Sequence, residues 1–217
     1  SLPAPTVVHY ARFEHPFLRD FHAGHGGDGE FPIDFICTHL IASTLLPDLP
    51  RRGLRALAGY FGHVMRELKR AKAHVSATAI VWSELVRTLE EQLGITDLDE
   101  LTQWLDESKA KCRPKTPGRR AYPIARELRL GLPAAPGIYK MLALGGEVLY
   151  VGKATSLSRR VNSYFQKRRH SRAERMLELL TQVRDVEVRV TSSALEAALL
   201  ESDEIKRLSP PYNKALH

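Results

Sequence analysis

The apolar positions of this chain change period a little past its midpoint. Up to about residue 108 they recur mostly every three or four residues, the spacing of one face of an α-helix. A short apolar run, Thr6, Val7 and Val8, suits a strand, and Phe13, Phe17, Leu18 and Phe21 then predict a first helix. A second helix is predicted over 35–46, ended by Pro47. A third runs through Leu54, Leu57, Ala58 and Phe61 and is stopped by Gly62. The longest covers 73–93, with Val75, Ala79, Trp82, Leu85, Val86 and Leu89 on one side, and 97–105 closes the series.

Beyond residue 130 the pattern turns to strands and shorter helices. Segments 137–144 and 147–152 flank Gly145-Gly146, a two-residue hairpin signal. That turn sets position 141 opposite 150 and 139 opposite 152, so Tyr139 and Tyr150 share a sheet face as diagonal neighbours. Helices are predicted over 156–165 and 172–181. Val186, Val188 and Val190 alternate with charged residues over 185–191, as in a half-buried strand. Ser193 and Glu196 form a capping box for a helix that runs to about Leu208, where Pro210 and Pro211 stop it. Its apolar face reads as Leu195, Ala198, Leu199, Ser202 and Ile205, with Glu201 at the edge. The expected class is α+β: a mostly helical first region, then a small domain with a three-stranded antiparallel sheet flanked by helices.

Composition narrows the setting. At 217 residues the chain is one large domain or two small ones, and 43% hydrophobic with 26% charged residues is ordinary for a globular protein. Two cysteines, Cys37 and Cys112, exclude a disulfide scaffold and a four-cysteine zinc module. No apolar run approaches the ~18–20 residues that span a bilayer, and no signal-peptide pattern opens the chain. A reducing, cytoplasmic and nucleoid-associated location is expected, with no membrane partner. The first residue is Ser1, as expected of a fragment or a processed chain.

The net charge of +7 is unevenly spread. Residues 1–108 hold 10 Lys and Arg against 15 Asp and Glu, 109–130 hold 8 against 1, and 131–217 hold 14 against 9. The stretch KAKCRPKTPGRRAYP at 109–123 reads as an extended, self-repelling connector. Three regions are expected: 1–108, a basic linker 109–130, and 131–217. Only the later, basic regions suit a polyanion.

Several residues after the hairpin bear chemistry. Gly152 and Lys153 follow the second strand directly, and Arg160 and Tyr164 stand one turn apart on the next helix. Each alone has an ordinary reading: tyrosines are common strand formers, and Glu201 beside Asp203 and Glu204 is a solvated acid. Together, PGIY at 136–139, LYVGKATSLSRRVNSYF at 149–165 and LEAALLESDEIKRLSPPYN at 195–213 resemble the GIY-YIG nuclease domain. The type is the one found in UvrC, the bacterial excision-repair nuclease. The resemblance covers about 133–213, with Val151 replacing the usual Ile.

That resemblance implies a DNA endonuclease using one Mg²⁺ or Mn²⁺ ion, with DNA and other excision-repair proteins as partners. Tyr150 would be the general base, its phenolate favoured by Lys153, Arg160 and the cation. Tyr139 would orient water or phosphate. Arg160 would clamp the scissile phosphate, Tyr164 would hydrogen-bond it, and Glu201 would hold the metal. Asn213 matches a polar residue that buttresses the site and is grouped with the phosphate-side residues. Lys167, Arg168 and Arg169 read either as a solvated face or as DNA backbone contacts. The alternative to the enzyme is a non-catalytic DNA-binding module that positions a partner nuclease. The pattern does not fix the lesion recognised or the oligomeric state.

Residues 5–90 resemble the distal part of a DnaQ-like (DEDD) 3′–5′ exonuclease domain through VVHYARFEHPFL at 7–18, the helical stretch 35–62, and AHVSATAIVWSELV at 73–86. Glu14 and His74 match motif positions, but Ala79 stands where an acid is expected and the first Asp-x-Glu motif is absent. Two-metal chemistry needs those carboxylates, so this region is expected to be inactive unless the first motif is supplied elsewhere. The strand at 6–9 is expected to lack its central partners. His9, His15, His22 and His25 are irregularly spaced and read as loop and surface residues.

Overall fold

The computed structural model describes residues 5–27, 31–66, 70–111, 120–166 and 174–213. The chain divides into two compact units, one of residues 1–48 and 67–119, the other of 49–66 and 120–217. In chain order β1 (Thr6–Val8), α1 (Ala11–Gly24), β2 (Phe35–Cys37) and α2 (Thr38–Leu45) open the first unit. Next comes α3 (Leu54–Tyr60), which belongs to the second unit. The first unit resumes with α4 (Ala71–Leu93) and α5 (Leu98–Lys111). The second continues as α6 (Arg126–Leu130), β3 (Gly137–Leu142), β4 (Val148–Ala154), α7 (Leu157–Ser163), α8 (Glu174–Gln182), β5 (Asp185–Val190) and α9 (Ala194–Leu208).

In the first unit β1 does find a partner: it pairs in parallel with β2, Val7 opposite Ile36. The helix expected over 35–46 therefore begins three residues late. Phe35, Ile36 and Cys37 are better strand formers, and Thr38 starts α2 with its hydroxyl donating to Val8 O at 3.2 Å. On α4 the buried residues are Ala77, Val81, Leu85 and Leu89, whereas Val75 and Ala79 are exposed. The buried face is rotated roughly a quarter turn from the expected stripe, because the small Ala77 permits close packing. On α1 Phe13, Phe17 and Phe21 all face solvent.

The second unit is built on a three-stranded antiparallel sheet in the order β4-β3-β5. Met141 faces Tyr150 and Tyr139 faces Gly152, as the hairpin arithmetic requires. The turn itself differs. The register shifts by one between Met141 and Leu142, so Leu142 faces Val148 and the strands separate earlier than a two-residue turn allows. The core gathers Tyr139, Met141, Leu149, Leu157, Val161, Leu179, Leu180 and Tyr212.

Two segments outside 131–217 join this unit. Within the expected linker, residues 120–130 are docked: Ile124 is buried in the core, α6 forms, and Arg129 exchanges hydrogen bonds with Asn162 at 3.1 and 2.8 Å. The other is 49–66, where α3 lies on α8. A single division near residue 110 is thus replaced by a unit assembled from two separated stretches.

α9 begins as expected, with Ser193 Oγ accepting the Glu196 N–H at 3.1 Å. Its packed face is not the leucine stripe. Leu195 and Leu199 are 71% and 63% exposed, while Ala197 is buried and Glu204 pairs with Lys140 at 2.9 Å. The sheet face beneath α9 carries lysines, so the helix turns its small and acidic residues inward.

On the central strand, a Cβ at Gly137 would sit 2.2 Å from the Arg189 carbonyl oxygen of β5. Backbone cannot yield there as a side chain would. Gly137→Ala is expected to lower the unfolding free energy by about 1–3 kcal/mol, measured by urea denaturation of the full chain.

Candidate active site

Alternation along β3 and β4 puts Tyr139, Tyr150 and Gly152 on one sheet face, and the Tyr139 and Tyr150 ring centroids lie 6.1 Å apart. Both rings lean over Gly152. A Cβ there would fall 2.4 Å from the Tyr139 hydroxyl and 2.9 Å from the Tyr150 ring, so only glycine fits. Gly152 thus serves the tyrosines by its lack of a side chain.

The next helix supplies two more members. α7 starts after Ser156 and ends at Tyr164, so Arg160 and Tyr164 share a face one turn apart. The Tyr164 and Tyr139 hydroxyls share a 2.7 Å hydrogen bond, and the Arg160 guanidinium lies 4.9 Å from the Tyr164 ring centre. Arg160 is also electrostatically coupled to the Tyr139 and Tyr150 phenols. Three phenols and one guanidinium are therefore coupled in one network.

Burial governs their protonation. The Tyr139 phenol is pushed well above its ordinary range, first by desolvation and then by the neighbouring Tyr164 and Tyr150. Tyr150 is less buried and is pushed up to about 12, again by desolvation first, then Tyr164. Arg160 acts to lower the Tyr150 value, as expected of a cation, but by itself does not offset burial. Burial also disfavours the Arg160 cation, but the surrounding tyrosine oxygens outweigh it and hold the guanidinium above its ordinary value.

On the opposite sheet face lie Ile138, Lys140 and Lys153. Glu201, from the packed side of α9, reaches the outer edge of β4. Its Oε1 accepts the Lys153 backbone N–H at 3.0 Å, and its Oε2 pairs with Lys153 Nζ at 2.8 Å. The carboxylate side chain is 18% exposed and the Lys153 side chain 52%. Among the described residues no group of three or more His, Cys, Asp or Glu could hold a metal. A single hard carboxylate with water access fits Mg²⁺ or Mn²⁺, which keep most of their water ligands, and would not fit zinc.

A cavity of about 490 Å³ is lined in part by Lys153, Thr155, Ser156, Arg159, Arg160 and Ser163. Arg160 of the tyrosine network and Lys153, the partner of Glu201, thus face one space, whereas the three tyrosines and Glu201 are not among its lining residues. Arg159, Thr155 and Ser156 were not singled out from the sequence. Their signal was the Arg159-Arg160 doublet and the polar run before α7.

Asn213 is placed differently from a phosphate ligand. Its Oδ1 accepts the Val151 N–H at 2.9 Å and its Nδ2 donates to Val151 O at 2.8 Å, which makes it a clamp on β4. Lys167, Arg168 and Arg169 lie outside the described residues. In the first unit, Glu14 lies on α1 and His74 near the start of α4.

Residues 135–214 match the family model described as the UvrC-like GIY-YIG domain, in agreement with the resemblance drawn over 133–213. The UvrABC system protein C of Neisseria gonorrhoeae is 51% identical over 82 residues, 38% of this chain and 13% of that protein. Its counterpart in Legionella pneumophila is 52% identical over 85 residues, again 13% of that protein. The chain therefore spans about an eighth of the length of these relatives. Among solved structures, the GIY-YIG N-terminal endonuclease domain of UvrC from Thermotoga maritima, bound to its catalytic magnesium, is 31% identical. It covers 41% of this chain and 94% of its own, with a TM-score of 0.37.

The raised phenols have a consequence for stability. A group whose folded value exceeds its unfolded one stabilises fully below the unfolded value of about 10 and stops doing so as pH rises through the folded value. Alkaline unfolding is therefore expected to begin above pH ~10. Tyr139→Phe should make that limb shallower, as read by circular dichroism alongside spectrophotometric titration of the tyrosines. An unchanged limb would mean that the Tyr139 phenol is not held neutral by burial.

Proposed function

We propose that the second unit is a divalent-metal-dependent DNA endonuclease that nicks phosphodiester bonds in DNA repair. The observation that supports it best is one cavity lined both by Arg160, a member of the tyrosine network, and by Lys153, the ion-pair partner of Glu201. Arg160 presents a planar cation to a phosphate there and offsets charge that develops in the transition state. Tyr139 and Tyr164, joined by their hydroxyls, hold the phosphate or the attacking water in line. Tyr150 takes the proton of that water. Glu201 would hold one Mg²⁺ or Mn²⁺ ion, which when bound supplies Lewis acidity at the phosphate and a field that lowers nearby proton affinities. Lys153 leaves Glu201 for the phosphate.

DNA is the substrate on this reading, and excision-repair proteins are the partners, as the UvrABC name of the relatives suggests. The charge division supports a polyanion partner. With 49–66 included, the second unit carries 21 Lys and Arg against 10 Asp and Glu, and the first 11 against 15. No described helix is long and apolar enough to cross a membrane. The first unit we read as an exonuclease-like body without chemistry of its own, since Ala79 replaces an expected acid.

Nicking of supercoiled and damaged duplex DNA with Mg²⁺ or Mn²⁺ tests the assignment. Glu201→Ala and Tyr150→Phe should abolish it, and Arg160→Ala should lower kcat by about 10²–10³-fold. Equal nicking by wild type and all three variants would sink the reading. DNA binding without nicking by the wild type would leave the non-catalytic positioning module instead.

Because Tyr150 is a phenol pushed up to about 12, it holds its proton at neutral pH. Its usable fraction as a base grows as pH rises, so log kcat should climb steadily from neutral to alkaline pH. Tyr150→Phe should flatten any residual profile.

A further inference from the structure

Among the described residues β4 is an edge strand, so the backbone groups on its outer side bond to partners other than a strand. Leu149 O, Val151 N–H and Val151 O point that way, and the Pro210–Asn213 turn takes them. Tyr212 N–H donates to Leu149 O at 3.1 Å, and the Asn213 amide holds Val151 at both backbone groups. Tyr150 sits between these two anchored residues. Whatever fixes Tyr212 therefore fixes the backbone on both sides of Tyr150.

Tyr212 is fixed from far away in sequence. Its hydroxyl donates to Glu178 Oε1 at 2.7 Å, and Gln182 Nε2 bonds the same hydroxyl. The Glu178 oxygen also accepts Arg55 Nη1 at 3.2 Å, and the Arg55 guanidinium stacks 4.3 Å from the Tyr212 ring centre. Arg55 further donates to Met65 O at 3.3 Å and Pro211 O at 3.5 Å. Its side chain is only 11% exposed. α3 comes close enough to seat it because Gly59 lies against Gln182, where a Cβ would fall 1.8 Å from the amide oxygen.

We propose that Arg55 is a positioning residue for the nuclease: from α3 it locks Glu178 and Tyr212, and through the Tyr212–Asn213 turn it sets the β4 backbone that carries Tyr150. Segment 49–66, outside the matched residues 135–214, is then a working part of the catalytic unit. This rests on Tyr150 being the base. Removing Arg55 leaves a half-buried carboxylate short of its cation and an aromatic ring without its stacking partner.

The test uses the full chain with Mg²⁺ and two readouts: DNA nicking kinetics, and hydrogen exchange of the Val151 amide. Arg55→Ala should lower kcat about tenfold to a hundredfold, as small misplacements of a reacting group do, with KM for DNA changed less than about threefold. The Val151 amide should exchange faster in step. Arg55→Lys should restore kcat partly, since it keeps the charge and loses the planar stack. Arg51→Ala removes a more exposed pair with Glu174 on the same segment and should change kcat less than about twofold. If Arg55→Ala does not fold, Arg55→Lys and Glu178→Gln carry the test, with smaller drops in the same direction. The proposal is overturned if kcat holds in folded Arg55 variants, if only KM moves, or if kcat falls with Val151 exchange unchanged. A wild type that does not nick overturns the nuclease reading alone; Val151 exchange then decides whether Arg55 holds the strand.

Discussion

The outer edge of β4 is the constraint around which the second unit is arranged. A strand at the end of a sheet leaves a row of backbone donors and acceptors that must be bonded or left to water. Here three kinds of partner meet them: the Tyr212 backbone, the Asn213 side chain and the Glu201 carboxylate. Another strand in that place would satisfy the same groups and bury that edge. Side-chain partners satisfy them without a further strand. Glu201 bonds both the Lys153 amide and the Lys153 ammonium.

Protonation in the site follows from what is buried beside that edge. Burial raises the Tyr139 and Tyr150 phenols first and the neighbouring Tyr164 adds to it, and a single guanidinium does not reverse the effect. A neutral phenol both donates and accepts, which suits the shared hydroxyl bond between Tyr139 and Tyr164. A phenol raised in this way needs added positive charge nearby before it gives up its proton.

Some of this was legible in the residues and some was not. The facing of Tyr139 and Tyr150 followed from strand alternation and the glycine pair, because side-chain parity survives an error in turn length. The turn length was wrong since a register shift at Leu142 is invisible in a hydrophobic pattern. The packed faces of α4 and α9 were misjudged for a common reason. A helical stripe can be placed a quarter turn off when both sides carry apolar residues: α4 buries Ala77 beside Val81, Leu85 and Leu89, and α9 buries Ala197 and pairs Glu201 and Glu204 with the lysines of the sheet. The strand at Phe35–Cys37 was read as helix because three residues are too few to show a period.

Least legible was the membership of α3, whose apolar stripe would suit any partner surface. Its buried Ala56, Leu57, Ala58 and Gly59 tie it to the second unit, and charge meets that unit at particular points. Segment 49–66 carries four arginines and no acid. Arg51 pairs with Glu174, Arg55 with Glu178 and Arg66 with Glu147, all in the second unit. Exposed pairs of this kind contribute little stability each, so Arg51 and Arg66 do not explain the docking. Their larger effect is on the field. They offset two carboxylates, and Arg55 a third, on a body already rich in lysine and arginine. Arg55, the most enclosed of the three, adds shape to charge by stacking on Tyr212. A helix from elsewhere in the chain therefore makes the second unit more basic and contacts the turn that bonds its edge strand through the same few side chains.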